Sequence, residues 1–333
     1  MAHNNCAMTD KKLIVILGAT GSQGGPAVRY ILKNLSGTYN VRAITRDPTK
    51  PSALALSNLG AEVVSANFSD AESVKDALSG ANAIFAITNF WDQISLDTEV
   101  SQSHAINEVA SQLPDLEHYI LSSIPDGRTL AGGKFQNILP YNAKAYIRDD
   151  LVKNYPALWA KTTEIFVAFY FQNWVKYSTV LGPYKDADGT FVVSMPFPGS
   201  TRVPCSDSED SGMAIGEILR GGGSFFGKQV VLDSEMHSEE ERVRIWTNET
   251  GIKARFEQVS PEEHSGRLAS YGFPPHIVTA TTELVEALQF EEDAMISQKH
   301  VQPRELGRVC AKRRLVTVDW CIGATLSYHP ADG

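Results

Sequence analysis

Leu13-Ile14-Val15-Ile16-Leu17 runs without a polar residue into Gly18-Ala19-Thr20-Gly21-Ser22-Gln23-Gly24, with glycines spaced three apart. Residues of these types in this order do phosphate chemistry. A buried parallel strand ends, the chain turns sharply, and a helix starts whose free N–H groups and positive dipole end face an anion. Gly18 permits the turn, Gly21 lets backbone approach a phosphate with no Cβ in the way, and Gly24 lets the helix pack close to the sheet. The loop predicts the pyrophosphate seat of a dinucleotide, built from Gly18, Thr20, Gly21, Ser22, Gln23 and Gly24. The plainer alternative is a structural glycine turn.

Arg46 follows twenty-two residues after Gly24, closing Ala43-Ile44-Thr45-Arg46-Asp47-Pro48. An acid here grips the ribose hydroxyls of NAD, whereas a guanidinium suits the 2′-phosphate of NADP through paired hydrogen bonds. Arg46, with Lys50 adding charge, therefore predicts NADP(H), and Asp47 is expected to turn away. A surface arginine is the competing reading. Ligands in such sheets bind outside the carboxyl ends of the strands. Asn67-Phe68 should then edge the adenine, with Thr88-Asn89-Phe90 after the fourth strand and Ser122-Ser123-Ile124 after the fifth, beside the nicotinamide. Each also serves simply to end a strand. Ser122 or Ser123 is placed to orient a reacting carbonyl. Phe166, Phe169, Tyr170, Phe171 and Trp174 form either a substrate wall or a core strand, with Phe169 and Phe171 on one face and Tyr170 on the other. Met195-Pro196-Phe197-Pro198-Gly199 reads as a loop able to close over a pocket, and its size and apolar content point to an aromatic or polyketide-like substrate.

These side chains need a frame. Val41 to Thr45, Glu62 to Ala66, Ala83 to Thr88 and His118 to Ser122 read as further strands. Helical stretches lie between them: Ser69-Asp70-Ala71-Glu72 has capping-box spacing, and Leu96 to Leu113 is helical. Alternating strands and helices predict an α/β fold with a doubly wound parallel sheet. In the second half, Lys144 to Lys153 suits a helix and Glu164 to Phe171 an aromatic strand. Ser211 to Leu219 is helical, Lys228 to Leu232 is a strand, and Ser238-Glu239-Glu240-Glu241 is a capping box whose helix stops at Gly251. Ser260-Pro261 opens a further helix.

Bulk properties narrow the class. The 333 residues carry a net charge of −9 with 43% hydrophobic and 21% charged side chains, ordinary for a soluble globular chain. The acidic balance argues against nucleic-acid binding. No apolar run is long enough for a membrane span, and no apolar signal core precedes Lys12, so a cytoplasmic location is expected. Cys6, Cys205, Cys310 and Cys321 are far apart and read as reduced thiols, and the scattered histidines suggest no metal. Lys312-Arg313-Arg314 reads as part of a solvated tail.

Gly18-Ala-Thr-Gly21-Ser-Gln-Gly24 with Val41-Arg-Ala-Ile-Thr-Arg46-Asp-Pro48 resembles the NmrA-like family, an atypical branch of the short-chain dehydrogenase/reductases that includes the isoflavone-reductase-like enzymes. Phe171-Gln172-Asn173-Trp174, Asp210-Ser211-Gly212 and Lys228-Gln-Val-Val-Leu232 agree, and the likeness spans roughly residues 12 to 300. It implies a Rossmann-type NADP-binding domain over 12–155 and a smaller C-terminal substrate-binding part over 156–303, with strands returning to the sheet. Residues 1–11 would be a disordered N-terminus and 304–333 an atypical tail. Phe90, Phe171, Asn173 and Trp174 are the candidate substrate contacts.

The superfamily's Tyr-x-x-x-Lys pair is here Tyr141-Asn142-Ala143-Lys144, one residue shorter. Isoflavone-reductase-like members instead use a lysine opening the helix after the fifth strand, with an arginine four positions on, which Lys144-Ala-Tyr-Ile-Arg148 matches. The resemblance implies a site role for Lys144, either binding the nicotinamide ribose and carboxamide or donating a proton, against the plainer reading of a solvated helix lysine. Tyr141 is a candidate second donor, and Ser122 or Ser123 is a candidate to orient the carbonyl. Two functions follow. One is a NADPH-dependent reductase of a small apolar or aromatic carbonyl or enone-type metabolite, in secondary metabolism. The other is a redox-sensing regulator that binds NADP without turnover and acts on a protein partner. A homodimer is compatible with either.

Overall fold

The computed structural model describes residues 11–296. The expected disordered start, the tail over 304–333 with its basic run, and Cys6, Cys310 and Cys321 lie outside the described residues, apart from Lys11.

The central sheet is built from β1 (Lys12–Ile16), β2 (Tyr39–Thr45), β3 (Glu62–Ser65), β4 (Ala83–Ala86), β5 (His118–Ser123), β6 (Thr162–Val167) and a returning strand, Gln229–Leu232. Its spatial order is returning strand, β6, β5, β4, β1, β2, β3, and every pairing is parallel. The order reverses between β1 and β4, and this switch point opens a crevice at the strands' carboxyl ends. Ile14, Val15, Ile16 and Leu17 have no exposed surface. Burying each contributes about 2 kcal/mol, which is why an uninterrupted apolar run becomes the middle of the sheet.

Helices α1 (Gly24–Asn34), α2 (Pro51–Asn58), α3 (Ala71–Leu78), α4 (Phe90–Gln93), α5 (Leu96–Ser111) and α6 (Leu139–Asn154) connect the strands. Two apolar clusters cover opposite faces. Ile14 and Ile16 pack with α1 and the helix Asp210–Gly221, while Val15 and Leu17 pack with α3, α5 and α6. α1 and Asp210–Gly221 approach closely because Gly212 and Gly216 sit against Pro26 and Tyr30.

The second half adds two three-stranded sheets, Glu235–Ser238/Arg202–Ser206/Phe169–Tyr170 and Ala254–Gln258/Phe191–Met195/Tyr184–Lys185, around a third core. The capping boxes at Ser238 and Ser260 form as expected, and Gly251 ends its helix in the left-handed region at φ 69°. Among the described residues no helix is long and apolar enough to cross a membrane.

Three local readings change. α3 is capped by Asp70, whose carboxylate accepts from Glu72 N–H, rather than by Ser69, whose N–H is held by Asn67. The aromatic strand breaks at Ala168, whose N–H makes the last bond to Leu232, and Phe169–Tyr170 then joins a different sheet. Met195–Gly199 is no flap. Phe197 is buried, Val259 N–H and Glu240 N–H bond Met195 O and Gly199 O, and the segment borders a cleft that shares no residue with the glycine loop.

Candidate functional site

β1 delivers the glycine loop to the switch point. Gly18 turns at φ 58°, a left-handed conformation that L side chains rarely adopt, and its missing Cβ would lie 3.7 Å from Ile87, just past β4. A Cβ on Gly24 would lie 2.4 Å from Gly18 O and 2.8 Å from Ala19 Cα, so only glycine lets α1 begin this close to the strand. Gly21 N–H and Gly25 N–H close the turn onto Gly18 O and Gly21 O. The N–H groups of Thr20, Ser22, Gln23 and Gly24 have no acceptor among the described residues. Thr20, Gly21 and Ser22 are exposed. A cradle of outward N–H groups at the start of a helix is the donor set that a pyrophosphate requires.

The loop is pinned from two sides. Ser122 Oγ, at the end of β5, donates to Gln23 Oε1 at 2.8 Å, and Ser211 Oγ donates to Gln23 O at 3.2 Å. The loop also borders a cleft of about 560 Å³, with Ala55 of α2 and Leu59 just after it facing the cleft and Gln172 and Lys176 along its edge. Arg29 and Glu209, both on that cleft, pair at 2.6 Å.

α6 carries Lys144 to the end of β4. Its ammonium donates to Thr88 O at 3.0 Å and Thr88 Oγ1 at 2.6 Å, and pairs with Glu99 of α5 at 2.8 Å. Thr88 Oγ1 in turn donates to Glu99 Oε1 at 2.7 Å. Lys144 and Glu99 keep 11% and 1% of their side-chain exposure, so this is a buried ion pair tied through a hydroxyl. Glu99 Oε2 has no partner among the described residues. Arg148, one turn along, points instead at Asp126, 3.4 Å away.

The sequence profile of the NmrA-like family matches residues 10–326. The chain belongs to the NmrA-like family. Among its relatives, the NmrA-like family domain-containing oxidoreductase hkm9 of Aspergillus hancockii is 27% identical over 329 residues, covering 92% of this chain and 95% of that protein. Nmra, a negative transcriptional regulator solved in complex with NADP, has TM-score 0.67 at 20% identity, over 95% of this chain and 92% of that one. The NADPH-dependent quinone oxidoreductase QOR2 of Escherichia coli, complexed with NADPH, has TM-score 0.70 at 15% identity, over 93% and 99%. At these identities the structural likenesses establish the fold, a Rossmann-type sheet.

The remaining expected residues divide between this NmrA-like crevice and other parts of the molecule. Arg46 directly follows β2, with its side chain 72% exposed, and pairs with Asp92 of α4. Lys50 is exposed at the start of α2. Asp47 is held within its own loop: the hydroxyl and N–H of Thr49 bond its carboxylate and hold it below the usual carboxylate range. Asn67 shapes the turn after β3 by accepting from Ser69 N–H, and Phe68 packs partly buried beside it. Asn89 caps α4 through Trp91 N–H, and Phe90 is buried.

Tyr141 and Lys144 are not brought together. Tyr141 lies in the first turn of α6, within a separate apolar cluster, and its hydroxyl donates to Glu291. Burial, then the Glu291 carboxyl, push this phenol well above its usual range, which disfavours the phenolate. Ser123 is buried, its hydroxyl at 3.5 Å from Ile124 O. Phe171 and Trp174 pack in the third core, where Arg242 stacks on Trp174, and Asn173 opens a short helix. The alternation at Phe169-Tyr170-Phe171 holds, with Tyr170 on the opposite core.

Glu99 and Asp92 were not anticipated. Glu99 reads as a first-turn acid favouring the helix dipole. Its signal was the spacing Glu99, Ser103, Ile106, Asn107, Ala110, the buried stripe of α5.

Proposed function

We propose that this protein is a NADPH-dependent oxidoreductase that reduces a small apolar or aromatic carbonyl or enone-type metabolite. The observation that carries this reading is the placement of Lys144. An ammonium is held on Thr88, just past the carboxyl end of β4 at the switch point and one residue beyond Ile87, which faces Gly18 of the glycine loop. A pyrophosphate suits those N–H groups and Ser22, and Arg46 with Lys50 suits a 2′-phosphate. NADPH, when bound, would supply the hydride. Thr88 and Glu99 hold Lys144 in one rotamer. To act, Lys144 exchanges its bond to Thr88 O for the substrate oxygen and passes that oxygen a proton, so that a C=O becomes a CH–OH. Ser122, through Gln23, keeps the loop and β5 in fixed register. In this reading residues 12–155 carry the dinucleotide, and the part from 156 to 296, apart from the two strands it returns to the central sheet, covers the substrate. The Aspergillus relative, named an oxidoreductase, and the NADPH-bound quinone oxidoreductase support the same class of chemistry.

A second reading, a dinucleotide-binding regulator without turnover, has its own support. All three N–H groups of an ammonium find acceptors inside the protein at Lys144, and the Tyr141 hydroxyl is committed to Glu291. NADPH oxidation followed by absorbance against a panel of quinones, enones and aromatic ketones separates the two. The reductase reading expects turnover that Lys144→Ala reduces at least about a hundredfold, within the range for one acid–base group. NADPH binding with no turnover on any compound supports the regulator.

A further inference from the structure

Arg46 directly follows β2, and Asp92 lies on α4, the helical turn that follows β4; β2 and β4 are the two strands that flank β1. Their ion pair therefore joins the segments that leave the two strands on either side of β1. It is specific to these two groups. The nearer acid, Asp47, is consumed by Thr49, and Ser65 Oγ donates to Arg46 O at 3.1 Å, which fixes the backbone and leaves the guanidinium as the mobile part. Asp92 is carried on a single helical turn fixed at both ends. Asn89 caps it and buried Phe90 anchors it, while Ile94 leaves it at φ 49°, the left-handed region that a β-branched side chain rarely occupies. Asp92 is the more enclosed partner, at 24% exposure against 72% for Arg46.

We propose that Asp92 is a specificity-determining residue that competes with the nucleotide's 2′-phosphate for Arg46. The inference rests on the reading of Arg46 as the 2′-phosphate ligand. Asp92 takes the guanidinium through Nη1, so a 2′-phosphate that grips the fork through that same nitrogen must displace the carboxylate. The dinucleotide lacking the 2′-phosphate needs no contact with Arg46 and leaves the pair closed. Asp92 thus lowers affinity for the phosphorylated dinucleotide and is silent towards the other.

The test is calorimetric titration of the full chain with 2′,5′-ADP and 5′-AMP, which isolate the adenosine end, repeated with NADPH and NADH. Asp92→Asn should bind 2′,5′-ADP and NADPH about two- to fivefold more tightly, the range of one partly exposed ion pair, with 5′-AMP and NADH unchanged. In the Arg46→Ala background the gain should vanish. Equal tightening of both nucleotide classes, unchanged 2′,5′-ADP affinity, or a gain that survives in Arg46→Ala overturns the proposal. Should Arg46→Ala bind 2′,5′-ADP as well as the parent, Arg46 is no phosphate ligand, and the inference falls with the reading beneath it. Asp92→Ala is the second variant, expected to match Asp92→Asn in sign.

Discussion

Gly24→Ala and Gly25→Ala are neighbouring substitutions that should behave oppositely. At Gly24 the new methyl falls 2.4 Å from Gly18 O, 2.8 Å from Ala19 Cα and 2.9 Å from Gly18 C, all backbone atoms that cannot rotate away. Relief requires α1 to move outward by roughly an ångström, since normal contact begins near 3.5 Å. Overpacking of this kind costs about 1–3 kcal/mol, of which the better helix propensity of alanine returns up to ~1. The movement also displaces the N–H groups of Gln23 and Gly24. Losing one or two hydrogen bonds to a charged phosphate, at about 1.5–3 kcal/mol each, weakens NADPH by roughly ten- to a hundredfold or more. At Gly25 the methyl meets the tip of Arg29 at 3.2 Å and Ala19 O at 3.5 Å, and the flexible guanidinium can yield. Gly25→Ala should be as stable as the parent or up to ~1 kcal/mol more stable. Urea unfolding gives the stabilities, and a fluorescence titration with NADPH gives the affinities. If the two variants lose stability equally, or if Gly24→Ala binds NADPH as tightly as the parent, the close-approach argument is wrong.

Glu99 and Lys144 form a buried pair, so removing one charge should hurt more than removing both. Glu99→Gln and Lys144→Met singly should each cost about 2–4 kcal/mol and the double variant less than their sum; additivity within ~0.5 kcal/mol would show no coupling. Glu291 is enclosed, and burial lifts its carboxyl to about 7, against 4.5 for a free glutamate side chain. The folded state therefore holds its proton longer than the unfolded chain, and the stability this gives is present below about pH 4.5 and lost as pH rises through about 7. Thermal melts across that window should show Glu291→Gln gaining on the parent as pH rises. A constant difference would place the ionisation elsewhere. His118 and His264, lowered to about 4 by burial, act in the opposite direction, so the comparison with the variant is what isolates Glu291. Burial raises the Cys205 thiol to about 11, and native protein should resist alkylation at Cys205 until denaturant is added; rapid labelling mapped there by mass spectrometry would contradict its burial.

Most of the crevice is written in local pattern. An apolar run into spaced glycines is a short-range signal, and α1, β1 and the capped helices follow from residues within a turn of one another. What escaped the sequence is long-range. Arg46 and Asp92 are 46 positions apart, and no periodicity marks that they meet. Tyr141 sits in the right turn of α6, but its hydroxyl is claimed by Glu291, 150 positions on. The aromatic run after residue 163 reads as one strand because alternation continues through Ala168, whereas the hydrogen bonds change sheets there. Glu99 resembled an ordinary helix-opening acid until its neighbours were known.

The most direct test is a calorimetric titration of the folded protein with NADPH. One site per chain with micromolar affinity is expected, weakened in Gly24→Ala and Arg46→Ala alike. Well-folded protein that gives no heat and no thermal stabilisation with either NADPH or NADH would contradict a dinucleotide seat at the glycine loop.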